Sequence, residues 1–408
     1  MECLIDYRGK TPPKADSGIR LITAKVIKDG AILDHQPEFI SEETYTNWMR
    51  RGFPQRGDIL ITTEAPLGEV AQLRTIERIA LAQRVILLRA DPRKVDPQYL
   101  FHFLRSPIAQ QRLRQRASGT TVSGIRQPEL CAVEIAIPPR AHQRRIGAIL
   151  DALDSLIENN RRRIVLLEQM VQALYQEWFV HFRYPGYEDD DLVESPLGSI
   201  PRGWRVASLG DVATLVRRNV HPTRFADADF EHFSIPNFDD TGLPRWESGA
   251  SIRSGKYLVA DSAVLVSKLN PRIPRVWLAK PSSETRSVAS TEFLVLQPRT
   301  PWSLELLYLL ATSPSFRDSI VSLSGGTSTS HQRAKPTDFM QLPVVDPPSH
   351  LLSLAQGRVA PIIGLGRALR LQCADLATLR NLLLPKLVTG AIDVSQLDLN
   401  AFDDPTAT

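Results

Sequence analysis

The sequence predicts an α+β protein, with two repeated α+β domains separated by two long antiparallel coiled-coil helices. Three observations predict this. A heptad seam runs unbroken from Ile146 to Trp178, a weaker seam runs from Val359 to Leu383, and strand, loop and proline landmarks recur in the same order after about 205 to 210 residues.

The first domain, residues 1–139, reads as short strands cut by Gly, Pro and Asp, then a helix, a Gly-Thr loop and a final strand. Its landmarks are Asp58-Ile59-Leu60-Ile61-Thr62 before Pro66, Val85-Ile86-Leu87-Leu88, Ser106-Pro107, Gly119-Thr120-Thr121 and Pro138-Pro139. Each has a partner in the second half. In order these are Ala263-Val264-Leu265-Val266-Ser267 before Pro271, Phe293-Leu294-Val295-Leu296, Ser313-Pro314, Gly326-Thr327-Ser328 and Pro347-Pro348. Trp204-Arg205-Val206-Ala207-Ser208-Leu209-Gly210 opens the second copy and has no counterpart in the first, where Cys3-Leu4-Ile5 already aligns with Thr214-Leu215-Val216. Either the start at Met1 lies too far downstream or the first domain lacks its opening strand.

The first long helix is assigned to residues 140–182. Its seam is Ile146, Leu150, Leu153, Ile157, Asn160, Ile164, Leu167, Val171, Leu174 and Trp178. An apolar stripe at this spacing must be covered by a second helix, and a single Asn within it lowers stability while fixing register. At 1.5 Å per residue the helix is a rod of roughly 60 Å.

Residues 183–203 read as a solvated linker, whose acidic run Glu188-Asp189-Asp190-Asp191 is a surface loop and not a metal site. The second domain spans residues 204–348. The second helix, residues 349–394, keeps a seam of Val359, Ile362, Leu369, Cys373, Leu376 and Leu383. Pro361, Gly364 and Gly366 are expected to loosen its early turns. The tail, 395–408, is polar. If the two helices pair antiparallel, Ile146 lies near the C-terminal part of the second helix and not near Val359.

Composition narrows the class without naming a function. At 408 residues, with 43% hydrophobic and 23% charged residues, the chain is an ordinary globular protein of two domains. No signal peptide or membrane span is apparent. Cys3, Cys131 and Cys373 lie far apart, which suits a reducing cytoplasm. A net charge of +4 is compatible with a nucleic-acid partner but does not require one.

Catalytic motifs are missing from the reading. Asp346-Pro347-Pro348-Ser349 is similar to the Asp-Pro-Pro-aromatic element of amino-methyltransferases, but Ser stands where a ring would stack on an extruded base. It and Ile137-Pro138-Pro139 read as helix stops. Gly364-Leu365-Gly366 lacks the third glycine of a dinucleotide loop, and there is no phosphate-binding Gly-x-x-x-x-Gly-Lys-Ser/Thr loop. The eight histidines lack metal-ligand spacing, so no metal site is expected.

Cations and hydroxyls instead collect at matching places in both copies. In the first these are Arg8, Lys10, Thr11, Lys25, Thr120, Thr121, Ser123 and Arg126; in the second, Lys268, Arg272, Arg275, Thr327, Ser328, Arg333 and Lys335. Lys and Arg neutralise phosphates, and Arg can also make paired hydrogen bonds to guanine. Any one of them alone reads as surface charge; their recurrence makes them candidate DNA-binding residues.

Three stretches resemble the specificity subunit of type I restriction-modification enzymes. Leu167 to Phe182 is similar to that family's central conserved region, Ser195-Pro196-Leu197-Gly198-Ser199-Ile200-Pro201-Arg202-Gly203-Trp204 to its lead into the second recognition domain, and Leu383-Leu384-Pro385-Lys386-Leu387-Val388-Thr389-Gly390 to its distal conserved region. The resemblance implies two target recognition domains reading the two parts of a split, asymmetric double-stranded DNA site. It implies a non-catalytic chain that scaffolds two methyltransferase subunits and is joined by restriction and translocase subunits. S-adenosylmethionine, ATP and Mg would sit on those partners, with no cofactor on this chain. Two other readings stand beside it: a helical-rod adaptor using two modules to bind proteins, and the detached specificity half of a fused restriction enzyme and methyltransferase.

Overall fold

The structure is a computed structural model that describes residues 1–7, 11–34, 36–119, 123–323 and 335–396. It divides into two compact units, Met1–Glu158 with Ala374–Thr408, and Asn159–Cys373. These differ from the boundaries drawn on the sequence, because each unit includes part of both long helices.

In the first unit, strands Cys3–Asp6, Val85–Arg89, Ile59–Thr62 and Val70–Gln72 form an antiparallel sheet in that spatial order. The central strand, Ile59–Thr62, is buried along its whole length, and its apolar run leaves neither face for water. A second sheet orders Glu38–Ile40, Ile19–Ile22 and Ile79–Leu81, the last two parallel.

The second unit repeats this plan. Ala213–Val216, Phe293–Pro298, Ala263–Ser267 and Val276–Ala279 take the same spatial order as their counterparts. A five-stranded sheet holds Asp229–Phe233 parallel to Ser287–Ser290. The landmarks recur because they do the same structural work. Ser106 ends helix Pro97–Arg105, and its hydroxyl accepts from the Ala109 amide at 3.3 Å to begin Pro107–Arg116. Ser313 does the same between Leu304–Thr312 and Pro314–Leu323, accepting from Phe316 at 3.3 Å. Proline at the first helical position needs no amide partner there. Ala65 and Asn270, each before a landmark proline, take φ of 47° and 49°.

The central helix runs from Arg140 to Tyr175, about 54 Å at the standard rise, and passes into a wider turn over Gln176–Val180 before Phe182 leaves it at φ 58°. The distal helix runs unbroken from Ser349 to Val388. The expected loosening at Pro361, Gly364 and Gly366 is therefore corrected. Val359 is fully buried and Leu369 nearly so, and this packing of the flanking seam outweighs the propensity cost of exposed Pro361 and Gly364.

Pairing of the helices is antiparallel within each unit. In the first, Ile146 and Leu150 share an apolar cluster with Leu384, Leu387 and Val388, and Arg380 Nη1 donates to Asp154 Oδ1 at 2.8 Å. In the second, as the central helix advances through Asn160, Glu168 and Trp178, its partners fall back through Gln372, Arg370 and Arg358. The seam is buried or half-buried at every named position, Asn160 included, at 4% exposure.

Residues 183–203 are not merely a solvated linker. Tyr184 is buried and stacks on Trp204 at 5.2 Å, its hydroxyl donates to Asp190, and Leu192–Val193 pairs with Ile200–Pro201. Glu188 and Asp191 are exposed as expected. The second copy's opening strand, Arg205–Ser208, pairs antiparallel with Pro343–Asp346. The corresponding segment of the first copy, Glu134–Ile137, forms no ladder among the described residues. No helix of the described residues is long and apolar enough to cross a membrane.

Candidate nucleic-acid interface

In the first unit, one chain of backbone hydrogen bonds collects three cation-bearing segments at an edge of the fold. The Ala82 amide donates to Ile22 at 3.0 Å, the Thr63 amide to Arg84 at 2.9 Å, and the Ile125 amide to Thr63 at 2.9 Å. Lys25 follows Ile22 on the short turn Ala24–Val26, exposed between two buried neighbours. Arg126 follows Ile125, which is 3% exposed, so the side chain after it turns outward. The Gly-Thr loop leaves from the same place through a closed neck, where Ser118 and Gly124 exchange two backbone bonds of 2.8 and 2.9 Å. Thr120 and Thr121 lie outside the described residues, as do Arg8 and Lys10. Arg84 shares this edge and was missed in the sequence; it pairs with Glu64 at 2.7 Å.

In the second unit, the end of Ala263–Ser267 carries the equivalent group. Ser267 is buried and its hydroxyl donates to the Leu269 carbonyl at 3.1 Å, while the Lys268 amide donates to Glu292 at 3.0 Å. These bonds fix the loop that presents exposed Arg272 and Ile273. Arg275 is placed differently from its neighbours. Its guanidinium forms a two-pronged pair with Asp239, at 2.7 and 2.8 Å, and its side chain is only 10% exposed. That geometry straps the loop to Ile235–Asp240 and leaves little of the group facing solvent. Arg217 and Arg218 are exposed just beyond Ala213–Val216, at the end of the sheet that also carries Lys268. The sequence reading missed them, although the strand they follow had been aligned with the one preceding Arg8. Lys335 is exposed at the start of Pro336–Met340; Thr327, Ser328 and Arg333 lie outside the described residues.

The surface is thus a set of backbone-anchored loops carrying Lys25 and Arg126 in one unit and Arg272, Arg217 and Arg218 in the other. Such loops can bind phosphates and offer donors to base edges. Asp346, the acid beside the proline pair, is taken up structurally: its carboxylate accepts from the Trp302 indole at 2.8 Å and from Arg205 Nε at 2.6 Å. Among the described residues, no group of three or more His, Cys, Asp or Glu could hold a metal ion.

Residues 21–169 match the family described as Type I restriction modification DNA specificity domain. The chain is 24% identical over 376 residues to the type I restriction enzyme MjaIX specificity subunit of Methanocaldococcus jannaschii, covering 88% of this chain and 82% of that one. It is 23% identical to the type I restriction enzyme HindI specificity subunit of Haemophilus influenzae, covering 83% of this chain and 87% of that one. Its fold is similar to the crystal structure of a type I restriction-modification S subunit from M. genitalium, with a TM-score of 0.57 and 14% identity over 94% of this chain and 93% of that one.

Proposed function

We propose that the chain is a specificity subunit of a type I restriction-modification enzyme, similar to the relatives above, that it reads a split, asymmetric DNA site, and that it scaffolds the methyltransferase subunits of such a complex. Each recognition domain reads one part of the site. The observation that carries this reading is the repeated fold, in which exposed Arg126 and Lys335 precede corresponding short helices, while the other exposed cations, Lys25 in one unit and Arg217, Arg218 and Arg272 in the other, lie on different loops. Phosphate contacts from Lys and Arg hold each domain on the duplex, while base-edge contacts from the same loops set the sequence read. Unlike loops read unlike half-sites.

The paired helices measure the unread spacer between the half-sites. Their outer faces support the scaffolding role. Val165, Leu166 and Met170 on the central helix are 51%, 58% and 55% exposed, and Leu379 and Leu382 on the distal helix 44% and 59%. Apolar side chains held in water on helices whose seams are already covered favour further helical partners. Two methyltransferase subunits dock there, and restriction and translocase subunits join them. S-adenosylmethionine, ATP and Mg act on those partners, and this chain contributes binding and geometry.

The test is co-expression with methyltransferase subunits in a host free of adenine methylation, followed by sequencing of modified adenines. A split motif with two unlike halves is expected. A continuous palindrome, or modification that does not depend on this chain, would overturn the proposal.

A further inference from the structure

The first unit contains a buried ion network that the functional reading does not use. Its carboxylates are Asp154 of the central helix and Asp29 of a hairpin turn; its cations are Arg380 of the distal helix and Arg105 of helix Pro97–Arg105. Arg380 donates to both acids, at 2.8 Å to Asp154 Oδ1 and 2.9 Å to Asp29 Oδ1. Arg105 donates to the other oxygen of Asp154 and, at 3.3 Å, to the backbone carbonyl of Asp29. The side chains of Arg380, Arg105 and Asp154 are 6%, 9% and 12% exposed, so water screens these pairs weakly.

The hairpin is shaped to fit. Asp29 and Gly30 take φ of 50° and 87°, the two-residue turn with both centres left-handed that joins Ile27–Lys28 to Ala31–Ile32. A Cβ on Gly30 would lie 2.6 Å from Arg105 Cζ, so the turn rests its backbone directly on the guanidinium. The Leu33 amide closes back on Val26 at 2.7 Å, which ties Lys25 to the pinned turn.

The second unit is built otherwise. By the Ser-Pro landmarks, Thr312 stands where Arg105 stands. The turn glycine there, Gly242, has open space where its Cβ would be, and it borders a cavity of 230 Å³ lined with Val171, Tyr308, Ile362 and Ile363. At these two positions, then, the second unit has no guanidinium resting on a turn glycine.

We propose that Arg380, Asp154, Arg105 and Asp29 are positioning residues, which fix the 27–32 hairpin and the Lys25 segment on the helix pair so that the first domain reads its half-site in one orientation. This rests on the reading of the chain as a specificity subunit. Asp29→Ala is the informative change, because Asp29 is 43% exposed and its loss leaves Asp154 still paired with two arginines. Gly30→Ala tests the same contact from the other side, by driving a methyl group into Arg105.

The assay is adenine-methylation mapping with the assembled methyltransferase complex, alongside the melting temperature of each variant. With a melting temperature near that of the wild type, both variants should relax base preference about tenfold in the same half-site and leave the other unchanged, a size in keeping with one charge-assisted hydrogen bond. Relaxation of both halves, of different halves in the two variants, or of neither, would overturn the proposal. If the unaltered chain directs no split motif, the functional reading falls and takes this inference with it; a split motif that is indifferent to Asp29→Ala removes this inference alone.

Discussion

Replacing Asn160 with Leu probes how the helix pair trades stability for register. Asn160 is 4% exposed, and its Nδ2 donates to Gln372 Oε1 at 3.0 Å, the other partner being solvent-exposed. Leucine at this place would gain about 1.5–3 kcal/mol from burial and lose about 1 kcal/mol with the hydrogen bond. Gln372 can turn to water, so little is added for a stranded amide. The expected net effect is stabilisation by about 1 kcal/mol, or roughly 2–4 °C in melting temperature for a unit the size of residues 159–373.

The same change makes the seam uniformly apolar, so a heptad slip no longer buries an unpaired amide. Differential scanning calorimetry reads the first effect. Mapping of methylated sites reads the second, as a minor motif with a different spacer length. A variant that melts below the wild type would refute the reasoning, because it would mean that the amide pair contributes more than leucine burial can replace.

Removing Lys268 and Arg272 together should flatten the dependence of log K on log salt for random duplex DNA by up to about 0.9 per lost phosphate contact; an unchanged slope would take both away from the backbone. Deleting one heptad around Asn160 together with the heptad facing it around Gln372 should shift the half-sites by about 10.5 Å, roughly three base pairs. An unaltered spacer in the methylation motif would remove the measuring role from the helices. His102 is fully buried, and burial with Arg105 beside it holds its pKa down to about 3. The unfolded chain binds the proton below its ordinary value of about 6.5 while the folded chain does not, so stability should fall as pH drops from there toward 3. Urea unfolding of His102→Gln over that range should show a shallower loss than the wild type, and equal slopes would refute the assignment.

Much of this architecture was legible in the sequence because it depends on spacing alone. The seam from Ile146 to Trp178 demands a partner helix whatever else the chain does, and Val359 to Leu383 supplies one at the same period. Ser106-Pro107 and Ser313-Pro314 recur because the proline disfavours continuing the first helix and suits the first position of the next, which the serine caps.

Other features depend on groups far apart in the chain, and no local pattern announces them. Asp29 meets Arg380 across 351 positions, and Arg275 is withdrawn from solvent by an aspartate 36 residues away. The burial of Tyr184 against Trp204 converts an apparent linker into packed structure, and buried Val359 and Leu369 carry the distal helix through a proline. Period and turn chemistry are local properties, so the sequence by itself determined the repeated domains and the paired rods. Which charges remain exposed to solvent is settled by distance and desolvation, which only the tertiary structure decided.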